Sequence, residues 1–247
     1  VCLLLVALLG SLIAPYDPLK VNYNLSLQGP SLSHLFGTDK LGRDILSRIL
    51  CGAKTSFGLT FLMLFLIVII GVSIGLFAGL LGGKAEHFLN SLMNGILAFP
   101  DTIFAIAVVG VIGEGLFNTV FALAFVWWPK YARLTLALVK QEKNKDYLIV
   151  AKMSGVPLIT RILRYLLPNI LSQILITAFL DIGNMMLSLA GLSFLGLASQ
   201  PPYPEWGAML YESKQFMQDL WRKRSKGKRL KECILFFGKR RICCYCW

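Results

Sequence analysis

Histidine is almost missing from this 247-residue sequence, and acidic side chains are outnumbered by basic ones, 13 to 25. The two histidines, His34 and His87, lie outside the long apolar runs, which leaves an intramembrane serine protease without a base. Its nucleophile elbow is missing too, because Gly191-Leu-Ser193-Phe-Leu195 lacks the closing glycine. A phosphate-cradling GxxxxGK(S/T) loop is likewise absent: Gly82-Gly83-Lys84 is followed by Ala85, and position 78 is Ala. ATP binding by the chain itself is excluded. Two histidines and scattered cysteines offer no metal-ligand spacing, so neither metal nor cofactor is expected. Charge of either sign is scarce, 15% of residues where soluble domains carry about 25%. An ordinary soluble domain is excluded.

What is present is apolar sequence in long blocks, 56% of the chain, with a mean hydropathy of +0.65. A bilayer core of ~30 Å demands about 20 apolar residues per helix, and helices satisfy their own backbone in lipid. The expected fold is therefore all-α, a polytopic membrane helical bundle. Residues 1–14 read as a partial first span, ended by Pro15 and Pro18. Residues 15–56 form an outer segment, in which Asp39–Ser56 has apolar positions 41, 45, 46, 49 and 50 opposite Arg43, Asp44, Arg48 and Lys54. That spacing predicts an amphipathic helix at the membrane interface or packed on the spans.

Phe57–Leu81 carries no charge and is the clearest span. Its Gly71, Gly75, Gly79 and Gly83 form a small-residue stripe suited to close helix packing. A third span, Phe88–Ile112, is interrupted at Pro100-Asp101. A fourth starts near Leu116 and meets Trp127-Trp128-Pro129, an interface-like aromatic group. A fifth covers Ile170 to Leu197. Five spans are visible and a sixth is missing from the pattern.

The formal charge of +12 does not signal nucleic acid. Ten Lys/Arg fall within 221–247 against Glu232 alone, leaving +3 for residues 1–220. Those last 27 residues also hold Cys233, Cys243, Cys244 and Cys246, and read as an aberrant basic, Cys-rich tail. Residues 130–164 carry eight basic side chains against Glu142 and Asp146, which predicts a cytosolic loop. At its centre, Asp146 suits a helix N-cap and Gly155 the left-handed position past a helix end. A two-turn helix, Tyr147–Ser154, follows. Its exposed apolar residues call for a partner groove or a lipid surface.

The same residues, Tyr147, Ile149, Val150, Ala151, Gly155, then Leu167-Pro168-Asn169, resemble the coupling loop of binding-protein-dependent ABC importer permeases. There a short helix docks into an ATPase subunit. Of the family's Glu-Ala-Ala triplet, only Ala151 is matched; Ile149 stands where the family has Glu. His34-Leu-Phe-Gly-Thr-Asp-Lys-Leu-Gly-Arg-Asp-Ile-Leu-Ser-Arg48 and Ser193-Phe-Leu-Gly-Leu-Ala-Ser-Gln-Pro-Pro-Tyr-Pro-Glu-Trp-Gly-Ala-Met209 resemble the second (C-type) permease of the dipeptide, oligopeptide and nickel class. The resemblance implies a MetI-like permease core over 57–220 with its coupling loop at 130–168. It also implies a multi-pass place in the cytoplasmic (inner) membrane among lipid, and no enzymatic activity of its own. The implied partners are a homologous second permease, two ABC ATPase subunits and an extracytoplasmic binding protein. Leu180–Gly191 and Tyr131–Leu134 look closest to nickel permeases, with peptide permeases as the alternative. A non-ABC channel or ion-coupled carrier is the competing class, although carriers often show inverted repeats and none is visible here.

On the fifth span, Thr177, Asp181, Asn184 and Ser188 share one helical face. An acid inside a span faces a cavity or a partner, so this stripe is a candidate translocation pathway, with Asp181 favouring cations. Polar groups of this kind also simply bond neighbouring helices. Met185 and Met186 read as packing rather than metal ligands.

Overall fold

The computed structural model describes residues 9, 10, 12–198 and 203–214. The expected tail at 221–247 and most of the first span lie outside the described residues. Helices dominate: α1 (Ile45–Leu81), α2 (Gly83–Leu97), α3 (Asp101–Ile112), α4 (Leu116–Lys143), α5 (Asp146–Met153) and α6 (Leu158–Phe194). A last helix, α7, covers 206–214, and no strand occurs among the described residues. Two compact units result, one from residues up to Gly58 together with those from Ser193 onward, the other Leu59–Leu192.

Both α1 and α6 have 37 residues and are long and apolar enough to cross a membrane. At 1.5 Å per residue each is about 55 Å long, well beyond a ~30 Å hydrocarbon core. A bent pair, α2 and α3, passes the same test jointly with a 93° break at the expected Pro100, whose ring cannot continue a helix. The fourth expected span is the amino half of α4, but Pro129 does not end it. The helix runs on to Lys143, so the first third of the expected loop is helical. Trp127 and Trp128 are buried within the helical core. Trp128 joins Ala78, Met93, Ala132 and Leu136 in one apolar cluster where α1, α2 and α4 meet.

The glycine stripe does what close packing requires at three of its four positions. A Cβ on Gly71 would lie 2.6 Å from Tyr131 Cβ, one on Gly75 2.5 Å from the Ala132 carbonyl oxygen, and one on Gly79 2.6 Å from Val139 Cγ1. The backbones of α1 and α4 approach so closely that only hydrogen fits. Gly83 has open space and instead takes φ +57 as α2 begins.

The amino-terminal unit corrects the amphipathic-helix expectation. Residues 39–44 form turns, and α1 starts at Ile45 and continues unbroken into the span. Arg43 and Arg48 are 1% exposed rather than solvated, because each finds carboxylates. Arg43 donates to Asp39 at 2.6 Å and to Glu212 at 2.9 Å, and Arg48 to the same Glu212 oxygen at 3.1 Å. The first motif block is thereby tied to Glu212, three residues past the end of the second. Glu205 caps α7 by accepting the Gly207 and Ala208 N–H groups, and Trp206 donates to the Ile49 carbonyl while packing on Gly52.

Asp44 is buried beside His34, whose Nδ1 lies 2.9 Å away, and accepts from the Ser47 N–H and hydroxyl. Burial pushes its carboxyl up, but those bonds and His34 outweigh it and hold it below the usual carboxylate range.

Two outcomes follow for stability in detergent. Gly75→Val should lower the melting temperature at a cost of about 1–3 kcal/mol by overpacking the seam, whereas Gly95→Ala, where a Cβ would meet nothing within 4 Å, should cost less. Because the folded carboxyl of Asp44 is lowered, its contribution is present at neutral pH and disappears as pH falls through that lowered value. Asp44→Asn should therefore melt below the native protein at pH 7, with the gap closing below about pH 4. A gap unchanged at acid pH would contradict the assignment.

Candidate functional site

The coupling segment forms at a chain reversal in the unit Leu59–Leu192. Asparagine at 144 ends α4, and α5 starts one residue earlier than expected, at Asp146. Lys145, in extended conformation, is the cap residue, and Asp146 lies in the first turn, where its charge favours the helix dipole without making a side-chain cap. The exit agrees with expectation. Gly155 has φ +74, and the N–H groups of Val156 and Gly155 bond the carbonyls of Ala151 and Lys152 at 3.1 and 3.2 Å. This is the Schellman pattern that a left-handed glycine permits.

Tyr147 holds α5 in place. Its hydroxyl donates to Glu142 Oε2 of α4 at 2.6 Å and accepts from Asn169 Nδ2 of α6 at 3.0 Å. Asn169 also donates to the Tyr165 carbonyl at 2.8 Å, and Lys145 pairs with Glu142 at 2.5 Å. Bonds from Lys145 and Tyr147 hold the Glu142 carboxyl below its ordinary value. Burial and the neighbouring Glu142 push the tyrosine hydroxyl up, so it remains a donor at neutral pH. Ala151 is buried, while Ile149, Val150 and Met153 (83% exposed) face outward, joined by Leu158, Ile159 and Leu163. Pro168 is exposed and follows a π-helical stretch, Arg161–Leu166, at the base of α6. Such stretches accommodate helix irregularity and recur at functional positions.

The pathway stripe lies farther along α6. Thr177 and Ser188 donate to carbonyls of their own helix, those of Gln173 and Asn184. Asn184 is exposed and Met185 fully buried. Asp181 is buried and already bound. Its Oδ2 accepts from Lys130 Nζ at 2.7 Å and from the Tyr131 hydroxyl at 3.0 Å. A lone acid was expected here, so Lys130 and Tyr131 are what sequence reasoning missed. Lys130 was counted as a loop charge because the expected loop began at residue 130. Two opposite charges in apolar surroundings were the available signal. Glu142 as the anchor of Tyr147 was missed as well, since a five-residue spacing across a helix junction has no periodic signature.

Residues 71–217 match the family model described as binding-protein-dependent transport system inner membrane component. The chain is 40% identical over 227 residues to the dipeptide transport system permease protein of Escherichia coli strain K12, covering 90% of this chain and 76% of that protein. It is 35% identical over 215 residues to the nickel transport system permease protein of the same strain, covering 87% and 78%. It is 42% identical over 218 residues to the glutathione transport system permease protein of Shigella flexneri serotype 5b, covering 88% and 72%. The chain belongs to the binding-protein-dependent transport family of inner membrane components, and is an ABC importer permease of the C-type class.

Proposed function

We propose that this permease moves a small polar cargo inward when partner ATPases drive α5, and that Tyr147, Ile149, Val150, Ala151, Gly155, Pro168 and Asn169 form the coupling element. The observation that carries the proposal is α5 itself: a short helix with an exposed apolar face, Ile149, Val150 and Met153, clasped to α4 and α6 through one tyrosine. An apolar helical face of this kind suits a groove on a partner. The partners are two ABC ATPase subunits on the cytosolic side, a homologous second permease, and an extracytoplasmic binding protein that delivers cargo. Residues 15–56 are the outer segment, and 57–220 is the transporting core. Thr177, Asp181, Asn184 and Ser188 line the route.

A nickel ion or its complex is the cargo read from Leu180–Gly191, and a di- or oligopeptide is the alternative. The relatives support both, being named for nickel, dipeptide and glutathione transport.

Coupling is tested by two substitutions in the assembled transporter. Gly155→Pro forces φ to about −65° and removes an N–H where the native value is +74; it should abolish stimulated ATP hydrolysis while membrane insertion stays intact. Tyr147→Phe removes only the hydroxyl and should lower cargo moved per ATP by about fivefold, the scale of a ~1 kcal/mol hydrogen bond. Native coupling in both variants would show that α5 does not transmit the ATPase motion.

A further inference from the structure

Lys130 sits at the midpoint of α4 (Leu116–Lys143), about 20 Å from either end at 1.5 Å per residue. Its side chain is 47% exposed although its ammonium is bound to Asp181, which is 9% exposed. The ammonium also lies 5.3 Å from the Trp127 ring centroid, a cation–π contact that steadies it without neutralising it. An ammonium has three donors, so the bond to Asp181 leaves capacity to spare. Asp181 lies within α6, a helix long and apolar enough to cross a membrane, and the half-exposed cation bound to it there is too costly to face lipid and turns to a water-filled route or a partner subunit. The polar stripe favours the route: Thr177 lies one turn before Asp181, and exposed Asn184 almost one turn after it.

The charge order matters. The acid is inside and the base outside, so the route meets a cation backed by a buried carboxylate. A bare divalent ion is repelled at this point, whereas a carboxylate is attracted and finds an ammonium held in place by Asp181 and Trp127. We infer that Lys130 is a carboxylate-binding point for cargo in transit, positioned by Asp181 and Tyr131, with Asn184 as a neutral amide beside it. The inference rests on the permease reading above and narrows its cargo to carboxylate-bearing species. Two sources supply that chemistry, a peptide C-terminus or a metal ion carried by a carboxylate chelator.

Proteoliposomes holding the full transporter and its binding protein test this. Four labelled cargoes are compared: a dipeptide, the same dipeptide as its C-terminal amide, nickel alone, and nickel with citrate. The variant is Lys130→Met with Asp181→Asn, which removes both charges and strands neither; Lys130→Arg keeps the cation. Each rate is expressed relative to the native complex with the same cargo, and stimulated ATP hydrolysis in the same vesicles reads coupling separately. The neutral double variant should slow a carboxylate-bearing cargo roughly tenfold or more, the scale of one charge-assisted hydrogen bond. The amide and bare nickel should slow far less, whatever they lose measuring the cost of the α4–α6 contact itself, and Lys130→Arg should keep the acid. Slowing of the dipeptide or of nickel with citrate identifies the source. Equal slowing of all four cargoes, or of none, would overturn the inference and reduce the pair to a packing contact between α4 and α6 or with the second permease.

Discussion

One carboxylate oxygen, Oδ2 of Asp181, holds the helical core together. It takes the Lys130 ammonium and the Tyr131 hydroxyl from adjacent positions of α4, and Tyr131 in turn fills the space that Gly71 leaves open on α1. Three long helices are thus tied through two neighbouring side chains. Asp181 is buried, so removing its partners leaves its charge without compensation, a far larger loss than the pair's own net contribution. The glycines at 71, 75 and 79 are the necessary counterpart, because α4 cannot come close enough to α1 if that stripe carries side chains.

From this node the architecture extends in two directions along α4. Toward its start, α3 packs on it, with Phe104 beside Phe125 and Ala105 and Val109 buried. Toward its end come the Lys140–Glu86 ion pair with α2 and then Glu142, which anchors Tyr147 and through it α5. One helix therefore carries both the polar centre of the core and the anchor of Tyr147 on α5. On the proposed function, it is the element through which a displacement of α5 reaches Lys130 and Asp181 as access alternates between two conformations.

The sequence made the periodic and conformational features readable. Glycines at four-residue steps, Pro100 between two apolar stretches, and Gly155 past a short helix each act through the local backbone, and each is found where spacing put it. Charges were misread because pairing is a tertiary event. Arg43 and Arg48 read as the polar face of an amphipathic helix, since Glu212 lies more than 160 residues away. Lys130 read as a loop charge, since Asp181 lies 51 residues on. A loop was expected from residue 130, yet α4 continues through Pro129 with both tryptophans buried. The coupling helix was legible from Gly155, but its support by Glu142 and Asn169 needed the fold.

The central claim is that α5 is the surface on which an ATPase subunit acts. A photo-crosslinking residue placed at Met153, the most exposed apolar side chain of that helix, tests it most directly in membranes containing the whole transporter. Illumination should join this chain to the ATPase subunit, with a yield that changes when ATP is bound, while the same probe at Tyr23, exposed in the other unit, should not. Crosslinks from Met153 to lipid alone would contradict the account.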